Sequence, residues 1–225
     1  MILKSRKAWS IMALTLAVLL AVISCGRGKS FVVAKKGKSA YAIVLSSDSS
    51  LSEQYAAIEL QHFVNMATGA ELPIVGDNTN RAKMDGRIFI GAGKAVDEVI
   101  EGGEAIDMDA LGDEGFVLRS VAGVGKYPDI LIVGGRRRGT MYGVYTFLEK
   151  LGFRWYTNRV TRYTSGKVLK TEPFDIRLIP RFMSRDTSIR EARDADWAAR
   201  NRMNSGHSQL DEKHGGKVGV LGVHT

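Results

Sequence analysis

The stretch DILIVGGRRRGTMYGVYTFLEKLGFRWY, residues 129–156, decides the reading of the fold. Asp129 to Val133 is an apolar, β-branched run of strand length. Gly134-Gly135 breaks it. Met141, Val144, Tyr145, Leu148 and Leu151 then share one face at helical spacing, and Gly152 supplies a C-terminal stop. Phe153 to Tyr156 returns to strand-like chain. A strand, a helix and a strand in succession put a helix across a sheet, the signature of an α/β layer. Gly139 and Gly143 allow the helix to approach that sheet closely, while the tyrosines and Leu148 fill the interface.

The same alternation runs upstream. Tyr41 to Leu45 has strand composition. Ser50-Leu-Ser-Glu53 has the spacing of a capping box, and Ala56, Leu60, Phe63, Val64 and Ala67 follow on one helical face, ended by Gly69. A helix is therefore expected over Leu51 to Thr68. Leu72 to Val75 and Arg87 to Ile90 read as short strands and Lys94 to Ile100 as a short helix. Glu101 to Gly112 reads as a loop. Gly115 to Val121 and Asp129 to Val133 read as paired strands. Further strands are expected at Lys167–Lys170 and Phe174–Leu178. The fold class is thus α/β, a mixed sheet with packed helices.

The chain has 225 residues and opens with Lys4, Arg6 and Lys7 ahead of an uncharged run from Trp9 to Ile23. That run has the length of an export signal and falls short of the ~20 residues of a membrane span. Val22-Ile23-Ser24-Cys25 resembles the lipobox of bacterial lipoproteins, so Cys25 is the expected lipid-attachment site. Gly26 in place of an aspartate resembles lipoproteins sorted to the outer membrane. Cys25 is the single cysteine, which excludes an intramolecular disulfide and thiol catalysis elsewhere. Three of the positive charges in the net +8 lie in the leader, leaving +5, a modest excess that gives nucleic-acid binding little support. The expected organisation is a signal peptide at 1–24, a lipid-anchored tether at 25–39, an α/β domain at 40–176 and a further segment at 177–225.

Several motifs fail on inspection. Gly91-Ala-Gly93 follows a strand, but Val96 stands where the third glycine of a dinucleotide fingerprint belongs. No Gly-Lys pair completes a phosphate loop, so no cofactor is expected. Arg136, Arg137 and Arg138 precede a helix and invite an anionic group such as a uronate, against the plainer reading of a loop bridged to nearby carboxylates. His207, His214 and His224 match no zinc spacing. Asp194 and Asp196 look like paired carboxylates, yet their place at a helix start suits capping and the helix dipole.

Three stretches carry a resemblance. They are Ser52 to Gly69 followed by Glu71-Leu-Pro-Ile74, then Ile88-Phe-Ile-Gly91 with Gly115-Phe116, and above all Arg138 to Glu149 with Leu151-Gly-Phe-Arg-Trp-Tyr156. Together they are similar to the N-terminal domain shared by bacterial α-glucuronidases, β-N-acetylhexosaminidases and related surface lipoproteins. The resemblance implies an accessory α/β unit ahead of a (β/α)8 barrel that carries the catalytic carboxylates. Pro180-Arg-Phe-Met-Ser-Arg185 resembles the first barrel strand, which would give Arg185 a contact with sugar hydroxyls. Asp186 departs from that pattern, where a glycine is usual. Trp197 to Arg202 resembles the first barrel helix. The resemblance therefore implies a barrel cut off near its start, a polysaccharide partner, and no complete catalytic site in these residues. Trp155 and Tyr156 are candidate sugar-stacking aromatics, with core packing the competing reading. Two other functions remain open: a surface glycan-binding lipoprotein, and a structural interaction domain marked by an exposed apolar patch within 177–205.

Overall fold

The computed structural model describes residues 29–79, 84–100, 105–135, 137–164 and 166–219. The longest helix, α1 (Leu51–Thr68), is sealed at both ends by its own sequence. Ser50 accepts the Glu53 N–H, and the Glu53 carboxylate accepts the Ser50 N–H at 2.8 Å, completing the capping box. Gly69, at φ 75°, closes the other end by donating to the Asn65 carbonyl. Ala56, Leu60, Phe63, Val64 and Ala67 are buried, as their spacing requires.

Six strands form the central sheet: β2 (Tyr41–Leu45), β3 (Ile74–Gly76), β4 (Gly86–Ile90), β5 (Phe116–Val121), β6 (Asp129–Gly134) and β10 (Asp175–Leu178). Their spatial order is β10-β5-β6-β4-β2-β3. β3, β2, β4 and β6 run parallel, while β5 and β10 close one side antiparallel. The central strands β2, β4 and β6 are largely apolar because both faces are covered, and their two charged residues, Arg87 in β4 and Asp129 in β6, are buried against each other as an ion pair. Ile43, Ile88, Ile90, Ile130 and Ile132 face α1 and α4 (Gly139–Lys150). Val44, Phe89, Leu131 and Val133 face the short helix α2 (Lys94–Val99) and the side chain of Met108. The close approach expected of α4 is real. A Cβ on Gly143 would lie 2.7 Å from Ile132 Cγ2, and one on Gly139 would lie 2.2 Å from the Gly115 carbonyl.

Three features differ from the sequence reading. Phe31–Lys35, inside the stretch read as a tether, is β1, paired antiparallel with β9 (Val168–Thr171). Flanking lysines hide an apolar run whose Phe31, Val33 and Ala34 are buried. A one-turn helix, α3 (Met108–Leu111), forms in the expected loop because Asp107 caps it. The boundary drawn at 176/177 cuts through β10, which belongs to the sheet. A hairpin of β7 (Arg154–Trp155) and β8 (Thr161–Arg162) follows α4.

Beyond β10 the chain folds back over α1 and α4. Residues 180–185, read as the first barrel strand, form no strand here. A 3-10 turn (Arg190–Arg193), α5 (Ala195–Arg200) and a second 3-10 turn (Glu212–His214) follow. Ala192, Trp197, Ala198, Ala199 and Leu210 join the core between them.

Candidate functional site

The best-organised polar cluster lies where the returning segment meets the sheet. The Asp113 carbonyl accepts the N–H groups of Arg137, Arg138 and Gly139, at 3.2, 3.0 and 3.2 Å. This ties the turn before β5 to the N-terminus of α4. Glu114, next in the turn, is buried and meets Arg138 Nε at 2.7 Å. Arg138 is only 1% exposed, and its Nη1 donates to the carbonyls of Gly215, at 2.8 Å, and Gly216. Arg185 closes the ring. It binds Glu114 Oε2, donates to the Arg202 and Phe182 carbonyls at 2.7 Å each, and lies over the Tyr142 ring. Asn204 donates to Glu114 Oε1 at 2.8 Å and accepts the Arg185 N–H at 2.7 Å.

Both oxygens of Glu114 are therefore occupied by two guanidinium groups and an amide. Neither oxygen is left open to meet a substrate. The cluster works as a fastener between the sheet, α4 and the returning segment. Beside it opens a cleft of about 330 Å³, lined by Leu111 to Gly115, Arg138, Ile179 to Met183 and Val218. Its rim is apolar and uncovered: Ile179, Phe182 and Met183 are 50%, 73% and 81% exposed.

The residues singled out in the sequence fall in different places. Arg185 is in the fastener, so its guanidinium is engaged by the protein instead of being open to sugar hydroxyls. Trp155 is 4% exposed and packs edge-on against Phe63 and Tyr145, which removes it as a stacking platform. Tyr156, its neighbour, is 59% exposed. Arg137 forms a solvent-exposed pair with Asp113 at 3.6 Å, and Arg136 lies outside the described residues, as do Cys25 and His224. His207 pairs with Asp186 at the surface. Among the described residues no group of side chains is arranged to hold a metal, and no helix is long and apolar enough to cross a membrane. Gly91, in the failed dinucleotide loop, abuts the Glu53 carboxylate: a Cβ there would lie 2.5 Å from its Oε1. An internal anion thus fills the N-terminus of α1.

Asp194 caps α5 by accepting the Trp197 N–H at 2.8 Å. Asp196 accepts from Tyr55 at 2.8 Å and meets buried His214 at 2.9 Å, with Lys213 at 3.2 Å. The hydrogen bond with His214 holds its carboxyl well below the usual carboxylate range, against an opposing effect of burial. Burial drives the Tyr55 hydroxyl up, reinforced by Glu59 and Asp196. Glu59 also pairs with Arg200 at 2.8 Å, locking α5 to α1. Glu114, Asn204 and Glu59 have no local sequence signal, because each gains its role only through partners far along the chain.

The sequence matches the family described as Glycosyl hydrolase family 67 N-terminus over residues 30–147. No curated protein matches it in sequence. Among solved structures, a family GH115 4-O-methyl-α-glucuronidase with specificity for decorated arabinogalactans aligns with a TM-score of 0.51. The identity is 14%, over 83% of this chain and 29% of that one. A mutant Streptomyces plicatus β-hexosaminidase in complex with the product GlcNAc aligns with a TM-score of 0.45 at 18% identity, over 79% of this chain and 31% of that one. The chain thus spans less than a third of the length of either enzyme.

Proposed function

Because the chain belongs to the glycosyl hydrolase family 67 N-terminus family, we propose that it is the accessory, non-catalytic portion of a cell-envelope glycoside hydrolase. In this reading the chain is exported, held to the envelope by a lipid on Cys25, and reaches polysaccharide together with a catalytic barrel. The observation that carries the proposal is the fastener with its apolar rim. Glu114, Arg138 and Arg185 spend their charges on each other, while Ile179, Phe182 and Met183 stand uncovered beside them. Large apolar side chains gathered on a surface mark a docking face, and a barrel domain is the partner the family supplies.

Glycoside hydrolysis needs an acid and a second group on opposite sides of the bond. Glu114, the buried carboxylate lining the cleft, has both oxygens engaged by Arg138, Arg185 and Asn204. The full chain is therefore expected to release no nitrophenol from aryl glucuronides or aryl N-acetylglucosaminides. Turnover that disappears on replacing one of its carboxylates would refute this. A second reading, a surface glycan-binding protein, draws support from the exposure of Tyr156.

A further inference from the structure

The β7–β8 hairpin carries charge that its own fold does not neutralise. Arg154 and Arg162 are direct antiparallel partners, which sets their Cβ atoms about 5 Å apart on one face. Like charges placed so destabilise a ladder. Arg154 gives one nitrogen to the Glu149 and Phe153 carbonyls, at 2.8 and 2.6 Å, which steadies the guanidinium but leaves its charge. The Arg162 side chain is exposed, and its guanidinium has no hydrogen bond or ion pair among the described residues. The hairpin's other pair, Trp155 with Thr161, turns the opposite way, and Trp155 enters the core.

Tyr156 follows on the Arg154 side, fixed by its N–H bond to the Val160 carbonyl at 3.0 Å. Arg154, Tyr156, Arg162 and Tyr163 then line one concavity of about 510 Å³. A second, of about 210 Å³ at the hairpin tip, adds Arg159 and Arg190, with Glu191 as the acidic residue on its wall. Guanidinium forks match carboxylates in bidentate geometry, and an exposed phenol ring offers an apolar platform to a sugar face. A lipid surface presents its charges as a layer and does not reach into such hollows.

We infer that this face binds a carboxylated polysaccharide, with a sugar carboxylate bridging Arg154 and Arg162 and a sugar ring resting on Tyr156. The inference rests on the hairpin alone and holds whether or not a barrel is joined to the chain. The test is calorimetric titration of the full chain with polygalacturonate, its methyl-esterified form, single-stranded DNA and phosphatidylglycerol vesicles. Polygalacturonate is expected to bind, and the esterified polymer to bind at least about tenfold more weakly. Arg162→Gln should weaken polygalacturonate by about tenfold and Tyr156→Ala by about threefold to tenfold. Neither variant should lower the melting temperature, and Arg162→Gln relieves a repulsion. The inference is overturned by no binding of polygalacturonate, by binding that both variants retain in full, or by DNA or vesicles binding equally well.

Discussion

Glu114 is the single residue on which the returning segment most depends. Replacing it with alanine would strand two guanidinium groups, one of them 1% exposed. Removing one partner of a buried ion pair costs about 3–5 kcal/mol, since the charge left behind loses both water and its counter-ion. Glu114→Ala should lower the stability measured by urea denaturation by that order, with fluorescence of buried Trp155 and Trp197 as the probe. A midpoint unchanged from the parent would mean that the cluster fastens nothing. The chain's own order conceals this residue. Asp113-Glu114-Gly115 looks like an ordinary loop, and the partners of Glu114 lie 24, 71 and 90 positions away. That one of Arg136, Arg137 and Arg138 bridges to a carboxylate was legible; that it is Arg138, and that it is buried, was not. Trp155 and Tyr156 were legible as an aromatic pair. Which of the two points inward is fixed by the pairing of a two-residue strand, a length over which alternation gives no pattern to read.

At the scale of elements, what the sequence reveals follows how much of an element's stability is local. α1 was readable to the residue because its caps and its apolar face lie within one stretch. β1 was not, because its pairing with β9 spans most of the chain and its lysines mimic a tether. α4 combines the two cases, since its apolar face is local but its glycines are explained by the sheet beneath. Gly143→Ala tests that account. Alanine favours a helix over glycine by about 1 kcal/mol. Its Cβ, however, would stand 2.7 Å from Ile132 Cγ2 and 3.4 Å from Phe116 Cδ2, both held in the core. Overpacking costs about 1–3 kcal/mol, so the net effect should be destabilising. Gly139→Ala should cost more, because its Cβ meets the Gly115 carbonyl, backbone that cannot swing aside. Thermal melts should rank parent, Gly143→Ala and Gly139→Ala in falling order. A Gly143→Ala variant more stable than the parent would show that the helix sits higher on the sheet.

For the whole molecule, three surfaces have to be served at once. The apolar rim near Phe182 needs a partner, the basic hairpin faces outward for a ligand, and in the proposed reading the N-terminus is tied to a membrane. Strand β1 starts at Phe31, six positions beyond Cys25, so an anchored domain would be held near the bilayer without a long linker. The lone cysteine makes the anchor a clean test. No disulfide or second thiol competes for modification. In bacterial cells fed labelled palmitate, the full chain should take up label and sediment with membranes. Cys25→Ala should lose both properties while keeping its melting temperature, because the acyl chains act through burial of methylenes in lipid, about 0.8 kcal/mol each, and not through the fold. Label retained by Cys25→Ala, or a parent chain that is unlabelled and soluble, would remove the anchor. The hairpin would then meet its glycan from solution.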